Sequence, residues 1–123
     1  MSWSPDELHR VGDAVELEIA TRRADSSLRP YVTIWTVETD GAIYVRTAYG
    51  TDNPWFRRAL STGAGRIRAG GVEKDVTFEH VPAEDPIHTA IDAAYHRKYD
   101  HYGPQIVGSV VGATAHQGTL RVC

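Results

Sequence analysis

The stretch GAIYVRTAYGTDNPWFRRAL, residues 41–60, sets Tyr44, Arg46, Thr47, Trp55, Arg57 and Arg58 around what reads as a strand, a turn and the start of a helix. Guanidinium groups pair with phosphate or carboxylate in a fork geometry, and a helix N-terminus adds backbone N–H donors. With an indole beside them, such groups suit an anionic, planar ligand. Tyr44 and Arg46 share side-chain parity on the strand, whereas Val45 and Thr47 face the other way. The same residues have a plainer use: arginines solvated or paired with the chain's many carboxylates, and Trp55 as a core anchor.

A second constellation lies in AAYHRKYDHY, residues 93–102. Tyr95, Tyr99 and Tyr102 recur at helical spacing on one face, with Lys98 and His101 beside them. Phenols along one wall orient a polar ring or serve as weak acids, and they equally make an amphipathic packing face. Asp92 and His96 stand four residues apart, the spacing at which a carboxylate can orient an imidazole. Other chemistries find no support. The six histidines are scattered without a His-Glu-x-x-His pattern, so no metal site is expected. No Gly-x-Ser-x-Gly elbow is present, and GAGRIRAGG (63–71) lacks the Gly-x-Gly-x-x-Gly spacing of a dinucleotide loop.

The elements that must position these groups follow from periodicity. Ser4, Pro5, Asp6 and Glu7 read as a helix N-terminus, and Gly12 with Asp13 as its end. AVELEIA (14–20) alternates, with Val15, Leu17 and Ile19 inward, as a half-buried strand does. PYVTIWTVE (30–38) and AIYVRTA (42–48) form a hairpin about TDG. A short helix follows at 53–60, started by Asp52 or Asn53 and Pro54, and RIRAGGVEKDVTFEHV (66–81) is a second hairpin with Val72, Val76 and Phe78 inward. Residues 87–102 are the longest helix, with Ile87, Ile91, Ala94, Tyr95 and Tyr99 on its apolar face. Residues 104–114 are a short helix or extended segment, and GTLRV (118–122) is a closing strand. Five or six antiparallel strands without regular crossovers predict an α+β fold, a small barrel occupying residues 1–123 as one domain.

Composition bounds the partners. Sixteen acidic residues against thirteen basic ones give a net charge of −3, which offers nucleic acid or anionic lipid no global field. The single cysteine, Cys123, permits no internal disulfide and fits a reducing cytoplasm. No apolar run has the length of a membrane span or a signal peptide.

The segments IYVRTAYGTDNPWFRRAL, GRIRAGGVEKDVTFEHV, IDAAYHRKY and GTLRV, in that order, resemble the small bacterial proteins of the DUF2255 family over residues 5–122. That family is similar to the split-barrel flavoproteins, the class of pyridoxamine-phosphate oxidases and deazaflavin-dependent nitroreductases. The resemblance implies a six-stranded split barrel, a homodimer, and a groove for FMN or the deazaflavin coenzyme F420, with hydride transfer to a small organic acceptor. Arg46 and Thr47 would then face the phosphate, Trp55 with Arg57 or Arg58 would flank the groove, and Tyr44 and Lys98 would complete the cofactor contacts. PWFRRAL departs from the Asn- and Leu-containing continuation usual in deazaflavin enzymes. A second use of the same groove is cofactor-free binding or turnover of a small carboxylate or polyketide-like substrate, with Tyr95, His96 or Tyr99 as acid or base.

Overall fold

In the computed structural model, which describes residues 3–48 and 50–123, the chain begins with helix α1 (Pro5–Asp13). Its capping box is complete: the Ser4 hydroxyl accepts from the Glu7 amide, and the Glu7 carboxylate accepts from the Ser4 amide. Strands β1 (Leu17–Thr21), β2 (Val32–Ile34), β3 (Thr36–Thr39) and β4 (Ala42–Arg46) come next, then helix α2 (Pro54–Thr62). The second hairpin is β5 (Ala64–Ala69) with β6 (Val72–His80). Helix α3 (Ile87–Tyr99) runs into a 3-10 turn at Asp100–Tyr102, and the short helices α4 (Pro104–Val107) and α5 (Ala113–Gln117) lead to β7 (Thr119–Val122).

All seven strands are antiparallel neighbours in one sheet, ordered β2-β1-β5-β6-β7-β4-β3. The two end strands, β2 and β3, are separated by Trp35 alone. One continuous run therefore pairs with β1 through its first half and with β4 through its second, and the sheet must curl until its ends meet at Trp35. The result is a barrel with an unsealed seam. The predicted count of six strands becomes seven because the 30–38 run, expected to be one strand, breaks at that tryptophan.

Both tight turns follow from their residues. Asp40-Gly41 and Gly70-Gly71 occupy two-residue hairpin loops with positive φ at both positions, as loops matching the strand twist require. Odd-numbered side chains of β1, β4 and β5 (Leu17, Ile19, Ile43, Val45, Ile67, Ala69) join Val76, Leu120 and Val122 in the barrel core, closed by Val11 of α1 and Trp55, Phe56 and Ala59 of α2. Val15, expected inward, is 52% exposed because β1 starts only at Leu17. Val76 is buried, whereas Val72 and Phe78 are half-buried at the edge of that core. A second core lies outside the barrel, where Val37, Ala42 and Tyr44 meet Ile91, Ala94, Tyr95 and Tyr99 of α3 together with Val107 and Val110.

Strand β7 sits between β6 and β4, and the Trp3 indole N–H donates to the Val122 carbonyl at 2.9 Å. No helix among the described residues is long and apolar enough to cross a membrane.

Backbone packing is very close at Gly65 in β5, where a Cβ would lie 2.2 Å from the Ala20 carbonyl oxygen of the paired strand. Gly41, in contrast, has open space but φ of +78°. Gly65→Ala is expected to cost about 3 kcal/mol through overpacking against backbone that cannot move. Gly41→Ala should cost only about 1 kcal/mol of conformational strain. Urea denaturation of the two variants checks the order, and equal losses would contradict it.

Candidate functional site

A cavity of about 550 Å³ opens at the barrel seam. One wall is the run Val32–Trp35, the opposite wall is the start of α2 (Asn53, Pro54, Trp55, Arg58), and Ile106, Ser109 and Val110 form the third side. Arg46 and Ala48 lie at its back. Its volume falls within the ordinary range for small-ligand sites, and its lining is largely apolar with two indoles. Val32 and Ile106 are well exposed and mark the mouth.

The two arginines of α2 are not equivalent. Trp55 and Arg58, three residues apart, share a helix face and both line the cavity, while Arg57 is turned away from it. Arg58 is exposed and has no side-chain hydrogen bond or ion pair among the described residues. The expected ring of free N–H donors at this helix start is absent. Asn53 caps α2 with its side chain toward the Trp55 amide at 3.4 Å, and its carbonyl accepts from Phe56 and Arg57, each at 3.1 Å. Pro54 has no N–H to offer. An anion at this corner must therefore rely on the Arg58 side chain.

Arg46, expected to meet an incoming anion, is already engaged. Its side chain has no exposed surface. Nε donates to Thr119 Oγ1 at 2.9 Å, Nη1 donates to the Val110 carbonyl at 2.8 Å and pairs with Asp92 Oδ1, and Nη2 lies 2.9 Å from His88 Nδ1. The guanidinium also stands over the Tyr95 ring, 5.4 Å from its centroid. One cation thereby joins β4, β7, α3 and the segment before α5, and fixes Val110 at the cavity wall.

The partners of Arg46 form a linked set. His88 Nε2 faces the Pro82 carbonyl at 2.7 Å, so Nε2 carries the proton and Nδ1 accepts from Arg46. Burial lowers the His88 pKa, and the adjacent guanidinium lowers it further. His116 stacks on His88 with ring centroids 4.4 Å apart and meets Asp92 Oδ2 at 2.9 Å. For Asp92, burial acts to raise the pKa, but hydrogen bonds from His116 and Arg46 outweigh it and hold the carboxyl below 3.8.

The other sequence-derived candidates lie elsewhere. Thr47 is buried and its hydroxyl donates to the Gly50 carbonyl at 3.0 Å, bracing the corner from within. Tyr44 is buried in the outer core beneath α3, where desolvation raises its pKa. Tyr95 and Tyr99, expected along a ligand wall, are fully packed, since the sheet covers the face they share. Burial raises the Tyr95 pKa steeply and pushes that of Tyr99 up to about 12. The Tyr99 hydroxyl donates to the Val15 carbonyl at 2.7 Å and accepts from the Thr36 amide at 3.2 Å, with Trp35 stacked on its ring at 3.9 Å. His96 does not meet Asp92. It pairs on the exposed surface with Asp100 at 2.7 Å, because Asp92 turns inward to Arg46. Lys98 donates to the Thr36 carbonyl at 2.7 Å and lines a separate pit rather than the seam cavity.

Sequence reasoning missed Trp35, Ser109 and Val110 at the cavity, and His88 and His116 beside Arg46. The spacing of His88 and Asp92, four residues apart on α3, carried a signal for their shared inward face. For His116, distant in sequence, no local signal existed.

An antiparallel α+β barrel left open at one seam, with a cavity at the opening, defines a split barrel. The chain belongs to the family described as "Uncharacterized protein conserved in bacteria (DUF2255)", whose model matches residues 7–122. Solved structures with the same fold include a protein described as a domain-swapped dimer, 16% identical, with a TM-score of 0.66 over 90% of this chain and 81% of that one. A conserved hypothetical protein from Mycobacterium tuberculosis, 16% identical, superposes with a TM-score of 0.61 over 99% of this chain and 79% of its own. An FAD-binding protein from Mesorhizobium loti, 13% identical, gives 0.61 over 99% and 90%. Among curated proteins, none matches the sequence.

Two outcomes follow from the buried cation. Asp92→Asn removes the charge that balances Arg46 and is expected to cost about 3 kcal/mol, read as a lower denaturation midpoint. For His88, the folded pKa lies below the ordinary 6.5, so the unfolded chain binds the extra proton and stability falls as pH drops through that window. One proton limits the slope to at most about 1.4 kcal/mol per pH unit, between pH 6.5 and the lowered folded pKa. His88→Gln, which takes no proton, should flatten the slope, and an unchanged slope would assign the effect elsewhere.

Proposed function

We propose that the seam cavity binds a planar aromatic ligand of the flavin class and that the protein acts as an oxidoreductase when it holds one. The observation that carries this is the cavity itself: two indoles, an apolar lining, and at the rim the Arg58 guanidinium, unpaired among the described residues. The fold shared with an FAD-binding protein supports the same reading.

The donor set fits a ring with one terminal anionic group. Trp35 and Trp55 offer apolar faces to the ring, Arg58 takes the phosphate, and Asn53 and Ser109 offer polar contacts to the linking chain. Arg46 contributes a fixed positive charge behind Val110 rather than a hand to grip with. With the N–H groups of α2 committed to Asn53, a second phosphate has no prepared partner, so FMN or a single-phosphate contact with a deazaflavin fits this chain better than the diphosphate of FAD. A bound flavin supplies hydride transfer to a small acceptor, and the chain contributes orientation and exclusion of water. The homodimer expected from resemblance is part of this reading, supported by the domain-swapped dimer among the structural neighbours.

A cofactor-free role in the same cavity is less favoured, because the phenols it would use as acids, Tyr95 and Tyr99, are buried and form no part of the cavity lining.

Titration of the purified protein with FMN, FAD and coenzyme F420, followed by tryptophan and flavin fluorescence, tests the proposal. FMN or F420 should bind below about 100 μM, and Arg58→Ala should weaken binding roughly tenfold while Arg57→Ala changes it little. Failure of all three cofactors to bind would overturn the reading.

A further inference from the structure

Helix α1, strand β3 and helix α3 enclose a small pit of about 250 Å³, distinct from the seam cavity and lined by Leu8, Asp13, Val37, Glu38, Arg97 and Lys98 among others. Lys98 is half-buried there, with its stem beside Ala94 and its ammonium 5.2 Å from the Tyr99 ring centroid. Among the described residues its hydrogen bond is to a neutral acceptor, the Thr36 carbonyl at 2.7 Å. No carboxylate lies within ion-pair distance of it among the described residues. The nearest candidates are occupied: Asp13 pairs with His9 at 3.3 Å, and Glu38 accepts from the Gly41 amide at 3.1 Å.

Lysine heads are normally solvated or paired, and partial burial without a counterion shifts an amine toward its neutral form. We infer that Lys98 is a covalent capture site for small aldehydes that carry a carboxylate. Three features point there. The Thr36 carbonyl anchors the amine of this pit-lining lysine through a single neutral hydrogen bond, with no carboxylate paired to it among the described residues. The pit is smaller than ordinary ligand cavities, so it admits a carbonyl compound of a few carbons only. Arg97, exposed at the rim and without a side-chain partner among the described residues, offers a guanidinium to the aldehyde's carboxylate.

The step is a condensation. The Lys98 nitrogen forms a C–N bond to the carbonyl carbon, a proton from nitrogen passes to the carbonyl oxygen, and loss of water leaves an imine. No oxidant or reductant takes part. The charged and titratable groups around the amine are His9 and Asp13 on α1, Glu38 on β3, and Arg97 and Tyr99 on α3. Burial is the main influence on Lys98 and lowers its pKa to about 8, with Asp13 opposing the shift, so a useful fraction is neutral near neutral pH.

The chain has only two lysines, which makes the test internal. Lys74 is paired with Glu7 at 3.0 Å and sits over the Trp3 ring. Full-length protein is incubated with glyoxylate, the imine is fixed by cyanoborohydride, and the adducts are located by peptide mass spectrometry. Lys98 should be modified at least roughly tenfold faster than Lys74 at pH 7.5, with a rate that rises through pH 8. Arg97→Ala should slow reaction with glyoxylate and leave acetaldehyde unaffected, and Lys98→Arg should abolish the fast adduct. Equal labelling of both lysines in the unmutated protein would overturn the inference, whatever the seam cavity binds.

Discussion

Trp35 imposes the constraint on which the remaining architecture rests. Because β2 and β3 are consecutive halves of one run, yet stand at opposite ends of the strand order, the sheet has no choice but to curl back on itself. The same geometry leaves a gap where the two halves diverge, since the residue between them pairs with neither end. Stacking of Trp35 on Tyr99 braces that gap from the α3 side. The seam cavity is thus a by-product of how the sheet closes, furnished afterwards by α2 and the segment around Val110.

A second dependence runs through Arg46. A guanidinium taken fully out of water is tolerated only when its donors are met, and here a threonine, a carboxylate, a carbonyl and an imidazole meet them. These partners come from separate parts of the chain, so the charge acts as a register mark that fixes β7 and α3 relative to β4. The arrangement also divides the corner's cations by task. Arg46 holds structure, while Arg58, one face of a capped helix, stays uncommitted.

Much of the fold was legible in the sequence because its signals are local. The capping residues of α1, the Asp40-Gly41 and Gly70-Gly71 turns, and the apolar face of α3 each declare themselves within a few residues. The break at Trp35 was not, since a β-rich run gives no sign that its two halves will pair with different neighbours. The site was half legible. Trp55 with a flanking arginine was legible, whereas the choice of Arg58 over Arg57 needs the helix in place, and the commitment of Arg46 depends on Thr119, Val110 and His88, which only the fold brings near. The tyrosines misled for a physical reason: the periodicity that lines a ligand wall is the same as that which fills a core.

The place of β7 bears on how such a barrel is made. Residues 119–122 lie in the middle of the sheet, between β6 and β4, although they are synthesised after every other strand. Until they emerge from the ribosome, β6 and β4 present unsatisfied inner edges, and the two halves of the sheet have no shared strand. Barrel assembly therefore waits for the last of the seven strands, is dominated by contacts between distant parts of the chain, and passes through a stage in which its edges are open to sheltering by chaperones or to pairing with another copy.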